Sequence, residues 1–103
     1  MLYPESVETR ITNRNQAETI QAILEKILKQ LAEKQKELQQ TQKRADDLDS
    51  QAAAARDAGE YQKAFRLTQD AIQLRNTARD IKKKIKDLDE QHASLLYKAR
   101  SGN

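Results

Sequence analysis

The chain has 103 residues, with no cysteine, no tryptophan, two glycines and a single proline. Without cysteine there is no disulfide framework and no thiol chemistry, which fits a reducing compartment. With so few breakers, the regular turn signals that a β-fold needs are missing. Aromatic residues are limited to three tyrosines and one phenylalanine. No apolar run approaches the ~20 residues of a membrane span. The first residues also lack the apolar core of a signal peptide. A cytoplasmic protein without a membrane partner is the expectation. The net charge of +3 is too small to imply nucleic acid by itself.

What is present is equally one-sided. Apolar residues make up 37% of the chain and charged residues 34%, the balance of long helices or coiled coil. The length allows one small domain. Gly59 is the only glycine before the C-terminal tail, and it stands inside Ala52-Ala53-Ala54-Ala55-Arg56-Asp57-Ala58-Gly59-Glu60-Tyr61-Gln62. Glycine takes the left-handed conformation that ends a helix at little cost, so this stretch reads as the turn of a helical hairpin.

Two heptad-patterned segments flank the turn. Upstream, Ile20, Leu24, Ile27, Leu31, Lys34, Leu38, Thr41, Ala45, Leu48, Ala52 and Ala55 follow one another at steps of four and three. Downstream, Ala64, Leu67, Ala71, Leu74, Ala78, Ile81, Ile85, Leu88, His92 and Leu95 do the same. A mean spacing of ~3.5 residues is the pattern of a left-handed two-helix seam. Folding at Gly59 sets Ala55 against Ala64, Leu48 against Ala71, Leu38 against Ile81 and Leu24 against Leu95. Small residues meet large ones near the turn, and Leu and Ile meet each other farther away. The flanks in this register put Glu37 beside Lys84, Gln35 beside Lys82 and Gln42 beside Arg75, which leaves Lys82 and Arg75 without an acidic partner.

The predicted fold is all-α: a long antiparallel two-helix coiled-coil hairpin with a short N-terminal segment, with dimerisation into a four-helix bundle as a further arrangement. Residues 1–15 form an arm or short helix, with Pro4 suited to a first turn. Asn15 serves as N-cap with Glu18 three residues on. The first hairpin helix then runs over 16–57, the turn over 58–60 and the second helix over 61–100, with 101–103 a disordered tail.

A second stripe runs beside the seam. Tyr61, Phe65, Thr68, Ile72, Arg75, Arg79, Lys82 and Lys86 also step by four and three, so they share one helical face. The half nearest the turn is apolar and aromatic; beyond Ile72 it is basic, widened by Lys83 and Lys84. A two-helix hairpin has almost no interior, so apolar residues off its seam, which include Ile23, Leu28 and Leu96, call for something to pack on. Set against this, the basic half could be no more than a solvated surface. Arg75, Arg79, Lys82 and Lys86 have the spacing to meet successive phosphates. No aromatic is interleaved with them for base stacking, and acidic residues are plentiful nearby.

Catalysis has little to work with. His92 is the only histidine, and it occupies a seam position. No second histidine and no cysteine completes a metal set with Asp89 or Glu90. With Gly59 and Gly102 alone there is no glycine-rich phosphate loop. No cofactor, metal or catalytic residue is assigned.

The stretch from Leu48 to Leu74 resembles the UVR hairpin motif of bacterial excision-repair and related proteins. Glu60-Tyr61 matches the motif's acidic-aromatic step after the turn, Ala64-Phe65 half-matches its second alanine pair, and Leu74 closes it. Thr68-Gln69 stands where Arg-Asp is usual, and Ala52 where methionine is. The match covers about a quarter of the chain and implies a hairpin that docks on a partner. A long basic antiparallel hairpin is also similar in form to the tRNA-binding N-terminal arm of seryl-tRNA synthetases, without a specific motif.

The expected function is a non-catalytic protein–protein interaction or assembly module, an adaptor or regulator. It would dock through Tyr61, Phe65, Ile72, Arg75, Arg79, Lys82 and Lys86 on a protein partner or, as a homodimer, on a second copy. The alternatives are a nucleic-acid-binding hairpin using Arg75 to Lys86, and a small inhibitor of an enzyme or complex.

Overall fold

The computed structural model describes the backbone of residues 5–101 and the side chains of residues 18–101. Two helices, α1 (Glu5–Asp57) and α2 (Tyr61–Ser101), pack against each other as a helical hairpin. No strand occurs among the described residues, and no helix there is long and apolar enough to cross a membrane. Ala32–Lys86 forms one compact unit, and the hairpin's ends, up to Leu31 and from Asp87, form another.

The turn follows from one backbone angle. Gly59 has a φ of +80°, a region where a Cβ collides with the local backbone and where glycine is at ease. Its N–H donates to the Arg56 carbonyl at 3.0 Å, and the Glu60 N–H reaches back to the Ala55 carbonyl at 2.8 Å. This pair of backward bonds satisfies carbonyls that the end of a helix would otherwise leave open, in the Schellman arrangement. The Glu60 carbonyl then accepts the Ala64 N–H at 3.0 Å, which starts α2 directly after the three-residue turn.

Within Ala32–Lys86 the core is built from small residues. Ala45, Ala52, Ala55, Ala64, Ala71 and Ala78 are buried together with Ile81, while Leu38, Leu48, Leu67, Leu74 and Ile85 are half-buried. Ala52 and Ala71 have no exposed surface. An alanine at the contact lets two helix axes approach closely, and the leucines then cover it from the edges. In the other unit Ile27 and Leu31 are buried, and Ile20, Leu24, Leu88, His92 and Leu95 half-buried.

Every seam position read from the sequence is thus buried or half-buried. Among residues 18–101 only Gln30, Asp49, Thr68 and Leu96 also escape full exposure. The two polar seam members near the middle are accommodated locally. Lys34 sends its ammonium out to Glu37 Oε2 at 3.1 Å, its apolar stem lying along the seam. Thr41 Oγ1 donates to the Glu37 carbonyl at 2.8 Å.

Two expectations are corrected. Asn15 is not a helix start, because α1 runs unbroken from Glu5 to Asp57. No glycine or proline lies between these ends, and an asparagine inside a helix costs only about 0.7 kcal/mol relative to alanine. How the side chains of 1–15 attach lies outside the described residues. The Glu37–Lys84 pair is replaced by Lys34–Glu37, one turn apart on the same helix, where neighbouring side chains meet most readily.

Candidate interaction face

The stripe beside the seam lies wholly within Ala32–Lys86. Its residues come to α2 at steps of four and three, so each stands one turn from the next on a single face. Tyr61 is 71% exposed, Phe65 67% and Ile72 46%. For large apolar side chains this is unusual in a unit whose other apolar side chains of that size lie in the seam. Thr68, between them, is half-buried and donates its hydroxyl to the Ala64 carbonyl at 2.9 Å, so it leaves no free donor on the face.

Tyr61 and Phe65 flank a shallow groove of about 540 Å³ completed by Gln62, Arg66, Gln69 and Asp70. These four were missed in the sequence reading. The signal available was position: Gln62, Arg66 and Gln69 stand one residue past Tyr61, Phe65 and Thr68, and Asp70 two past Thr68, beside the stripe on the same helix.

The basic half divides. Arg75 is tied to α1, its Nη2 standing 3.1 Å from Asp46 Oδ1 and 2.5 Å from Asp49 Oδ2. The hydrogen bond that Arg75 donates to Asp49, and the charges of Asp49 and Asp46 acting against partial desolvation, raise the guanidinium pKa above its usual range and keep it cationic. The expectation that Arg75 lacks an acidic partner is therefore wrong. Side chains lean toward the N-terminus of their own helix. In an antiparallel pair Arg75 leans toward the turn while Asp46 and Asp49 lean away from it. Groups several residues apart in level meet as a result, and level matching alone picked Gln42.

Arg79, Lys82 and Lys86 are exposed, and none of them makes an ion pair among the described residues. Arg79 and Lys82 border a groove of about 420 Å³ with Gln42, Ala45, Asp46, Arg75 and Ala78. The face therefore consists of an apolar stretch of three turns, a neutralised turn at Arg75, and two turns with free cations.

In the other unit Ile23, Leu28 and Tyr97 are exposed. A groove of about 670 Å³ there is lined by Ile23, Lys26, Ile27, Gln30 and Leu95 among others. Its charges are mixed, since Asp87, Glu90, Lys26 and Lys98 all line it. His92 is half-buried in the seam. Among the described residues no three of His, Cys, Asp or Glu gather where they could hold a metal ion. No known protein family matches the chain, the excision-repair hairpin and the synthetase arm included, and no curated protein or solved structure does either.

Proposed function

We propose that the protein is a non-catalytic protein–protein interaction module, an adaptor or regulator that docks through the α2 face from Tyr61 to Lys86. The observation that carries this reading is the exposure of Tyr61, Phe65 and Ile72 on one face beside a fully used seam. Covering the three removes on the order of 300–400 Å² of mainly apolar surface from water. At ~25 cal/mol per Å² that is roughly 8–10 kcal/mol gross. An association cost of at least ~4 kcal/mol leaves about 4–6 kcal/mol from these three residues, a Kd of roughly 0.05–1 mM, so contacts from the rest of the face have to add to them in a stable complex. Helix-face docking of this kind is read by anchors at i, i+4 and i+11.

Nucleic acid binding through the same cations is the weaker reading, because Arg75 is already neutralised by Asp46 and Asp49. That leaves three cations on the stripe, a small charge for a phosphate-binding surface. The test is a nuclease-treated pull-down from extract of the source cell. The wild-type chain captures a protein, and Phe65→Ala with Ile72→Ala loses it. Capture that disappears with nuclease, or that survives the double substitution, overturns the proposal.

A further inference from the structure

The face has a polarity that narrows its occupant. From Tyr61 to Ile72 it is apolar over ~16 Å, and Arg79, Lys82 and Lys86 follow over a further ~10 Å, with a neutralised turn between them at a rise of ~1.5 Å per residue. We propose that it takes an amphipathic acidic helix, a segment of another protein with about three apolar turns followed, after a gap of two turns, by about two turns carrying Asp or Glu. This rests on the protein-interaction reading above and deepens it.

The charge pattern favours such a partner over a second copy of the chain. Two α2 helices laid parallel through this face set Arg79, Lys82 and Lys86 against their own duplicates, and like charges in register repel. Laid antiparallel, with Tyr61 against Ile72, the apolar turns match. Arg79, Lys82 and Lys86 are then carried past the start of the second copy's α2, which begins at Tyr61. A two-fold pairing of two α2 helices along this face runs parallel or antiparallel, and the register with Tyr61 against Ile72 is the antiparallel one that matches the apolar turns. An acidic helix instead meets both halves at once: apolar side chains cover Tyr61, Phe65 and Ile72, and carboxylates find three cations that make no ion pair among the described residues.

The Arg75 turn supports the same polarity. Its cation is held by Asp46 and Asp49, so a partner carboxylate there gains little and is repelled by the two aspartates. The acidic residues of the occupant belong beyond that point.

The experiment uses the full chain and two fluorescein-labelled helical peptides of about 25 residues. Both carry the same leucine stripe over three turns. They differ only in the later turns, with Glu in one and Lys in the other. Fluorescence anisotropy at low salt is expected to give about tenfold tighter binding of the Glu peptide, from a few exposed charge pairs acting together. Arg79→Glu with Lys82→Glu is expected to invert the preference, and Phe65→Ala with Ile72→Ala to weaken both peptides by tenfold or more. All four positions are exposed, and an unchanged helical circular dichroism spectrum checks the fold.

Equal binding of the two peptides, still lost on Phe65→Ala with Ile72→Ala, overturns the acidic partner and leaves the docking face standing. Binding indifferent to that double substitution, or no binding of either peptide, overturns the acidic helix and counts against the face as well. Tighter binding of a 20-base-pair duplex with a steep salt dependence, or a dimer in sedimentation that Phe65→Ala with Ile72→Ala dissolves, also overturns it.

Discussion

Replacing Gly59 by alanine isolates the backbone angle on which the hairpin turns. A Cβ built at this position meets nothing within 4 Å, so the substitution neither adds a clash with another residue nor removes a contact. What remains is the φ of +80°. Holding a non-glycine residue there costs roughly 1–2 kcal/mol. Alanine also narrows the unfolded ensemble, which returns roughly 0.4–1 kcal/mol. The net expectation for Gly59→Ala is a loss of about 1 kcal/mol, equivalent to about 4–8 °C in Tm for a chain of this size. Urea unfolding followed by far-UV circular dichroism, at one protein concentration and with unchanged slope, reads it directly. Asparagine tolerates the left-handed region better than other side chains do, so Gly59→Asn is expected to lose about half as much. An alanine variant as stable as the parent, or an asparagine variant that loses as much as alanine, refutes the reasoning.

The seam and the ion pair give further expectations. Ala71→Leu inserts a branched side chain where the helices touch and is expected to cost about 3 kcal/mol by the same urea assay. Ile81→Ala is expected to cost about 2 kcal/mol, the low end for such a truncation, because a two-helix seam can close over the gap. Arg75→Gln is expected to flatten the dependence of the unfolding midpoint on ionic strength, since charges this exposed are screened by salt. Arg75 is raised on folding. Its contribution is therefore complete below its unfolded pKa and lost only as pH climbs through the folded one, so the difference between parent and Arg75→Gln is expected to stay constant from about pH 7 to about pH 10. Phe65→Ala with Ile72→Ala is expected to change stability by no more than about 1 kcal/mol, about 0.5 kcal/mol for each surface site, which leaves its effect on binding interpretable.

The hairpin and its seam were legible because burial in two packed helices has only one periodicity to follow. Positions as unlike as Lys34, Ala52 and His92 were found by spacing alone, and the structure buries or half-buries each of them. The start of α1 was not legible. A capping signal such as Asn15 offers a fraction of a turn's stability, and nothing upstream of it to Glu5 opposes a helix. The partner of Arg75 was not legible from level matching, because the lean of the side chains shifts contacts by several residues along an antiparallel pair. Of the candidate face, the exposure of Tyr61, Phe65 and Ile72 could be read from their place off the seam. The division of its cations could not, since it depends on which carboxylates the neighbouring helix delivers.

The alanine ladder has a consequence for slippage. Ala45 and Ala52 on α1, and Ala64, Ala71 and Ala78 on α2, recur every seven residues. Sliding one helix past the other by a heptad would therefore again set small residues against large ones, and the seam alone distinguishes the two alignments weakly. The bond from Glu60 to Ala55 removes that ambiguity. With three residues between the helices, a slip of seven would have to unwind about two turns of helix to supply the chain. Arg75, Asp46 and Asp49 then act as a second index mark several turns away. The ladder sets the graduation of the ruler, and Gly59 sets its zero.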